Sequence, residues 1–367
     1  MNTPPKKSPT LRPLSLGELL DRAIRLYRRN FFKFIGIIAV VQIPITIISL
    51  IVGLFTLSSV SPQLTDPAAM QNLENMENPL ELLGPNFFSG IGISVIVGII
   101  SVFLLAIAMA AVTRLVADAY LGERIGAMEA YFRIEDRVPA LFGTLITNFL
   151  VGLLVFVWFL IPCIGWLTGL SMLSVLTYII IPLTVPVVIL EGFSGFTALR
   201  RAWELVRRRF WPVIIVAVVL YLFNQLVVAG PAYLVSLIFQ YMTPNMVNSG
   251  NAELALQIQT VAQTLVSLIF SLLYVPLQLA CMTLLYFDLR VRQEGLDLVL
   301  AAEQQPGISA AELVAKAPKM PQGSLITGGE IGNFVILSVG GGVIFFIFSF
   351  LLGILTAGLG LATTGGF

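Results

Sequence analysis

Arginine is the residue type whose spacing in this sequence most clearly indicates chemistry. The stretch from Leu20 to Phe32 aligns without gaps with the stretch from Arg200 to Trp211 when Arg22 is matched to Arg201. Both read Arg-Ala, an apolar residue, a charged residue, Leu, an apolar residue, Arg-Arg and then an aromatic pair. Guanidinium groups bind phosphates and carboxylates through paired hydrogen bonds. The repeat therefore indicates binding of anionic headgroups or of an acidic partner.

The candidate binding residues are arginines of this repeat and of a third charged stretch, Asp288 to Gly295. They are Arg22, Arg28, Arg29, Arg201, Arg207, Arg208, Arg290 and Arg292. Each copy of the repeat also places apolar side chains on one helical face, with arginines opposite. These faces are Leu16, Leu20, Ala23, Tyr27 and Phe31 in the first copy, and Leu199, Trp203, Val206 and Phe210 in the second. We therefore expect helices that lie in the membrane interface with their arginines turned toward lipid phosphates.

The stretch from Asp288 to Gly295 has two interpretations, because its charges alternate at the end of a long apolar run. One is local ion pairing with the neighbouring arginine helices. The other is binding of lipid headgroups or of a partner protein. Both interpretations stay open at the level of sequence.

Amides are the polar side chains predicted inside the membrane. Gln42, Asn148 and Gln278 each lie about seven to ten residues from one end of an apolar run, and a rise of about 1.5 Å per residue places them at a similar depth. They predict either a common hydrogen-bonded layer or separate contacts between helices, each worth roughly 0.6–2 kcal/mol.

Catalytic constellations are not evident in the sequence. It contains no His, and its two cysteines, Cys163 and Cys281, lie within apolar stretches. A Ser-His-Asp arrangement and a His-Cys metal cage therefore cannot be assembled. We find no phosphate-binding loop of the Gly-x-x-x-x-Gly-Lys-Ser/Thr type and no charged residue within the predicted membrane crossings. The sequence predicts a protein without enzymatic activity, cofactor or metal.

The elements that must position these residues are membrane helices. Of the 367 residues, 57% are hydrophobic and only 11% are charged, and the mean hydropathy is +0.93. This composition is typical of polytopic membrane proteins and excludes a soluble globule. The formal net charge of +1 and the lack of a long basic tract argue against nucleic-acid binding.

Seven apolar runs are long enough to cross a hydrocarbon core of about 30 Å. They are Phe34–Ser58, Phe87–Thr113, Phe142–Trp166, Leu167–Leu190, Trp211–Phe239, Val261–Phe287 and Ile331–Leu361. The third and fourth come from one long run, which the turn-prone segment from Pro162 to Trp166 divides. We expect an all-α polytopic protein in which three units of an interfacial helix and a membrane hairpin precede a final helix.

The basic residues predict the orientation. All 21 Lys and Arg residues fall in segments on one side of this topology, and basic residues mark the cytoplasmic face. We expect residues 1–33 to form a cytoplasmic tail with an interfacial helix. Residues 34–303 form a six-helix membrane domain, with interfacial helices near 119–139 and 196–210. Residues 304–330 form a cytoplasmic linker, and 331–367 form the seventh crossing with an outer carboxyl terminus.

Three stretches carry a resemblance to a known family. They are Leu14–Phe31, Ala198–Leu205 and Tyr286–Leu298. The region from Leu14 to Glu303 resembles the prokaryotic membrane-domain family named after glycerophosphoryl diester phosphodiesterase. In some members this helical region is fused to a soluble barrel that hydrolyses glycerophosphodiesters with His, Glu and metal-binding carboxylates. That barrel is missing here, so the resemblance implies a location in the prokaryotic cytoplasmic membrane but no such activity.

The function we expect is that of a membrane scaffold or accessory subunit. Its arginine-rich helices would bind anionic lipid headgroups or a cytoplasmic partner in a membrane complex. The alternative is a channel or transport subunit for a neutral or amphiphilic solute. A transport protein predicts a continuous polar cavity that reaches the amides, whereas a scaffold predicts a closed bundle.

Overall fold

A computed structural model describes residues 12–65, 85–123, 125–248, 252–302, 310–319, 323, 327–343 and 350. Every regular element in these ranges is helical. The helices are α1 (Leu16–Arg29), α2 (Phe31–Thr65), α3 (Pro85–Tyr120), α4 (Ala127–Phe132), α5 (Val138–Phe159), α6 (Ile164–Glu191), α7 (Gly195–Arg207), α8 (Phe210–Asn224, continued by Gly230–Asn248), α9 (Ala252–Glu294), α10 (Leu296–Ala302), α11 (Ala310–Lys316) and α12, described over 328–343.

Six helical stretches in the described residues are long and apolar enough to cross a membrane. They are Phe31–Ser58, Ser89–Tyr120, Ala127–Phe159, Ile164–Glu191, Phe210–Tyr241 and Glu253–Glu294. The predicted all-α class is confirmed, and these six stretches coincide with the first six predicted crossings. Helix α12 covers the beginning of the predicted seventh crossing. Residues 344–349 and 351–361 of that crossing lie outside the described residues.

The hairpin between the third and fourth crossings is confirmed, with its turn slightly earlier than expected. Helix α5 ends at Phe159, the turn covers 160–163, and α6 begins at Ile164. Cys163 has a positive φ of 64° and forms the last residue of the turn. Gly165 packs so closely that an added Cβ would lie 2.1 Å from the Trp158 carbonyl oxygen. Only glycine leaves room for this approach of the two helices.

Prolines account for irregular turns within two crossings. A π-helical turn at Leu176–Ile180 precedes Pro182 in α6, and another at Gln225–Ala229 precedes Pro231 in α8. Proline has no amide hydrogen and its ring collides with the carbonyl four residues earlier. A wider turn before each proline relieves that collision without ending the helix.

Helix α9 is the centre of the bundle and contacts α1, α2, α3, α7 and α8. Its last turns are buried rather than exposed, and the side chains of Tyr286, Phe287 and Arg290 are almost entirely covered. Helices α5 and α7 pack against each other beside it. The charged end of α9 thus becomes the place where separate parts of the chain meet.

Helix α1 begins with a reciprocal cap. The Ser15 hydroxyl accepts a hydrogen bond from the amide of Glu18, while the Glu18 carboxylate accepts one from the amide of Ser15. These bonds satisfy amides that a helix start leaves without partners. The backbone hydrogen bond from Ser15 is the main reason that the pKa of Glu18 is lowered. Leu19, Ala23 and Tyr27 are buried, whereas Leu16, predicted on the same face, is 36% exposed.

Candidate functional site

Five buried side chains form one polar group at the end of α9, and we call them the ionic cluster. Its members are Glu191, Arg201, Tyr286, Arg290 and Glu294. Arg290 and Tyr286 are 0% exposed, Arg201 is 3% exposed and Glu191 is 8% exposed. The side chain of Glu294 is 2% exposed. Burial of this many charges is tolerated only when they pair with each other.

The cluster is joined by short contacts from three helices. Arg201 Nε donates to Glu191 Oε2 at 3.0 Å, and Arg201 Nη2 lies 2.6 Å from Glu294 Oε1. Tyr286 donates its hydroxyl hydrogen to Glu191 Oε1 at 2.9 Å, and Arg290 Nε donates to Glu294 Oε2 at 2.8 Å. Both carboxylates are therefore held by donors. This arrangement joins α6, α7 and α9.

These contacts show where two of the predicted arginine residues, Arg201 and Arg290, lie. The stretch from Asp288 to Gly295 makes local ion pairs with an arginine helix, which is the first of its two interpretations. The expected outward direction of Arg201 is wrong, because α6 and α9 each bring a carboxylate to it. Periodicity within α7 cannot reveal that both faces of the helix are covered.

Arg207 is also turned into the protein rather than toward an open surface. It lies 3.2 Å from a Glu204 oxygen and 2.7 Å from a Glu330 oxygen. The amide of Gly323 donates to Glu204 Oε1, and Arg200 donates to the Gly323 carbonyl. Gly323 and the first turn of α12 are thereby attached to α7. Arg208, in contrast, is exposed as expected.

Arg292 attaches the beginning of α1 to the end of α9. Its Nε lies 2.9 Å from Asp288 Oδ2, and its Nη2 donates to the Leu14 carbonyl at 2.6 Å. Asp288 Oδ1 accepts from the amide of Leu14 at 2.7 Å. Arg292 is thus a docking residue for the amino-terminal segment. Arg22 of α1 donates to the Tyr120 hydroxyl at 3.2 Å and is half-buried.

A second site, which we call the basic cavity, lies where α1, α2 and the end of α3 meet. It has a volume of about 340 Å³. Its lining residues are Leu26, Arg29, Asn30, Lys33, Leu115, Ala119, Gly122, Glu123 and Ile125. Lys33 donates to the Ile125 carbonyl at 2.9 Å, and the only acidic lining residue, Glu123, is paired with Arg133 at 3.1 Å. The cavity therefore combines two cations with an aliphatic floor.

Arg28 and Arg29 are exposed, and within the described part of the chain neither has an ion pair or hydrogen bond from its side chain. Phe32, one turn further along, is 87% exposed. Two uncommitted guanidinium groups next to an exposed aromatic ring are the arrangement expected for contact with a membrane surface. Of the eight predicted arginines, these two, Arg208 and Arg292 are exposed, and Arg292 is paired with Asp288.

A third feature is a largely apolar cavity of about 590 Å³ between α6, α8 and α12. Tyr178 and Tyr221 lie at its edge with their ring centroids 5.6 Å apart. Its polar lining is limited to hydroxyl groups, including those of Ser171, Ser174 and Ser338. Neither this cavity nor the basic cavity is lined by Gln42, Asn148 or Gln278.

The predicted amides make separate contacts. Gln42 donates to the Ser271 hydroxyl at 2.6 Å, which links α2 to α9. Asn148 donates to the Thr184 hydroxyl at 3.3 Å, which links α5 to α6. Gln278 is half-buried and takes part in neither contact. The described hydrogen bonds thus match interhelical contacts rather than one continuous layer.

Asp118 is a buried charge that the sequence analysis missed. It is 0% exposed and lies 3.0 Å from Arg114 and 2.9 Å from Arg133. Arg133 also pairs with Glu123 and Glu129, so it joins the turn before α4 to the end of α3. The spacing of Arg114 and Asp118, four residues apart in a helix, was the available signal.

Among the residues that the structure describes, no group of three or more His, Cys, Asp or Glu side chains is arranged to hold a metal ion. Cys163 is exposed and Cys281 is buried, and both are free thiols. Comparison of the chain with known proteins found no matching family model, no matching curated protein and no matching solved structure.

Proposed function

We propose that the protein is a non-enzymatic scaffold or accessory subunit of the prokaryotic cytoplasmic membrane that binds anionic lipid headgroups. In this proposal the amino terminus and the basic cavity face the cytoplasm, and α1 lies at the membrane surface. The resemblance of the stretches around Arg22, Arg201 and Arg290 to the membrane-domain family is part of the same proposal, with a membrane role and without phosphodiester hydrolysis.

The basic cavity is the observation that carries the proposal. Arg29 and Lys33 supply positive charge to its lining, and Asn30 adds an amide. Leu26, Leu115 and Ile125 supply the apolar floor. A lipid has the same two parts, because a phosphate is attached to a hydrocarbon chain. Each cation near an anionic membrane surface contributes about 1 kcal/mol to binding.

The transport alternative has less support from the described cavities. A pathway for a neutral solute requires polar groups that continue into the bundle, whereas the amides bind hydroxyl groups of neighbouring helices. The cavity between α6, α8 and α12 is mainly apolar and is not lined by these amides. We therefore favour the scaffold.

Arg29→Gln tests the proposal against Arg25→Gln as a matched control. Both arginines are exposed on α1, but only Arg29 lines the cavity, while Arg25 pairs with Asp21 at 2.6 Å. Native mass spectrometry of protein from membranes with phosphatidylglycerol should show roughly fivefold less retained anionic lipid for Arg29→Gln, from a loss of about 1 kcal/mol. High salt should weaken retention in the wild type as well. Equal lipid occupancy in both variants would contradict the proposal.

A further inference from the structure

The segment from 310 to 317 covers the ionic cluster, and we call it the cover segment. Although its polar surroundings in the sequence predict a linker, Leu313, Val314 and Ala317 are buried. The carbonyl of Val314 accepts a hydrogen bond at 2.8 Å from Nη1 of Arg290. Helix α11 contacts the end of α6 and α10. The cover segment thus lies against the end of α6 and over Arg290 of the cluster.

The charges of the ionic cluster and of Lys319, which directly follows the cover segment, do not balance. Arg201 and Arg290 are matched by Glu191 and Glu294, but Lys319 adds a further cation 4.0 Å from Glu191. Its ammonium group also lies 4.4 Å from the centroid of the Phe193 ring. Burial lowers the pKa of Lys319, Glu191 opposes this shift, and Arg290 and Arg201 add to it. The group as a whole therefore carries one positive charge in excess.

Arg290 has a terminal nitrogen without a partner. Its Nε and Nη1 are hydrogen-bonded, but Nη2 is buried and has no hydrogen-bond partner. Such an unmatched charged donor is costly in a protein interior. The Val314 carbonyl accepts a hydrogen bond from Nη1. This single neutral oxygen does not also accept one from Nη2. A phosphate can accept from both nitrogens, because two of its oxygens match the guanidinium fork.

We propose that Arg290, with Arg201 and Lys319 beside it, forms an occluded binding site for a phosphate-type anion that opens when the cover segment lifts. An oxygen of the anion replaces the Val314 carbonyl at Nη1, and a second oxygen takes Nη2. One negative charge of the anion offsets the excess positive charge. This site shares no residue with the basic cavity and does not rest on the function proposed above. Inorganic phosphate and a lipid phosphomonoester headgroup present the same chemistry.

The test uses the full chain in neutral phosphatidylcholine nanodiscs. Leu313→Gln removes an apolar anchor of the cover segment without adding charge, and Leu298→Gln makes the same change at a residue that is 70% exposed. Because affinity scales with the open population, inorganic phosphate should bind Leu313→Gln about tenfold more tightly than the wild type or Leu298→Gln. Adding Lys319→Gln should weaken that binding. A second measurement uses nanodiscs that contain phosphatidic acid and no free phosphate. If the natural anion is a lipid headgroup, the variants should bind phosphatidic acid in the same order of affinity.

Hydrogen exchange on the wild type keeps the proposal testable if Leu313→Gln fails to fold. Phosphate should increase exchange at amides 313–317 relative to chloride of equal ionic strength, since the bound anion displaces the cover segment. Two results would overturn the proposal. One is unchanged exchange together with equal phosphate affinity for all variants, as expected if a buried water alone satisfies Nη2. The other is equal tightening in Leu298→Gln and Leu313→Gln.

Discussion

Arg201 and Glu294 lie 2.6 Å apart, although 93 residues separate them in the chain. Their side chains are only 3% and 2% exposed, so the pair is removed from solvent. Glu294 also holds Arg290, at 2.8 Å. One carboxylate therefore connects the arginine of α7 to the arginine of α9, and its loss would leave two buried guanidinium groups short of negative charge.

Glu294→Gln is expected to lower the free energy of unfolding by about 3–5 kcal/mol, the range for removal of one partner of a buried pair. Glu129→Gln is the control, because Glu129 pairs with Arg133 at 2.8 Å but is 48% exposed. Such a surface pair contributes about 1 kcal/mol or less. Equilibrium unfolding in detergent measures both values. Similar losses for the two variants would show that the ionic cluster adds no special stability.

Gly192→Ala should destabilise the end of α6. Gly192 has a φ of 78°, and an added Cβ would lie 2.6 Å from Nη1 of Arg137. The left-handed backbone alone costs a non-glycine residue roughly 1–2 kcal/mol. Gly36→Ala in α2 is the matched control, because nothing lies within 4 Å of its added Cβ. It should be neutral or slightly stabilising. Thermal unfolding of the two variants compares them, and equal midpoints would refute the expected strain.

Gln42 and Ser271 should show a small, measurable coupling. Their hydrogen bond of 2.6 Å joins α2 to α9, and such bonds between membrane helices average about 0.6 kcal/mol. A double-mutant cycle with Gln42→Leu and Ser271→Ala determines this value from unfolding free energies. An interaction energy near zero would mean that the contact does not hold the helices together. A second cycle with Asn148→Leu and Thr184→Val measures the other hydrogen bond. Its interaction energy should not change when Gln42 or Ser271 is substituted.

The orientation of the chain can be tested with topology reporters. All 21 basic residues fall on one predicted side, so a reporter inserted near Gln305 should be cytoplasmic and one fused after Phe367 should be outside. Both positions lie outside the described residues. The measurement is activity of paired reporters that work on opposite sides of a membrane. Finding both positions on the same side would remove the seventh crossing.

The sequence predicts the spans well because each depends on local composition. The turn before Ile164 and the six helices long and apolar enough to cross a membrane follow from apolar run length and from Pro162. The partners of Arg201 could not be predicted, since Glu191 and Glu294 belong to other helices and their approach depends on packing. The linker prediction for 304–330 missed docking by Leu313 and Val314 for the same reason, because two apolar residues in a polar stretch carry little local signal.

The members of the ionic cluster lie far apart in the sequence, so the ribosome makes them at different times. Glu191 and Arg201 leave the ribosome close together, only 10 residues apart, and can pair as soon as α7 forms. Tyr286, the second donor to Glu191, is 95 residues later. At a synthesis rate of about 5–20 residues per second, that interval lasts roughly 5–20 seconds. A nascent chain that stops before α9 leaves Arg201 with one carboxylate, Glu191, instead of two, so this buried guanidinium is fully paired only after α9 has been made.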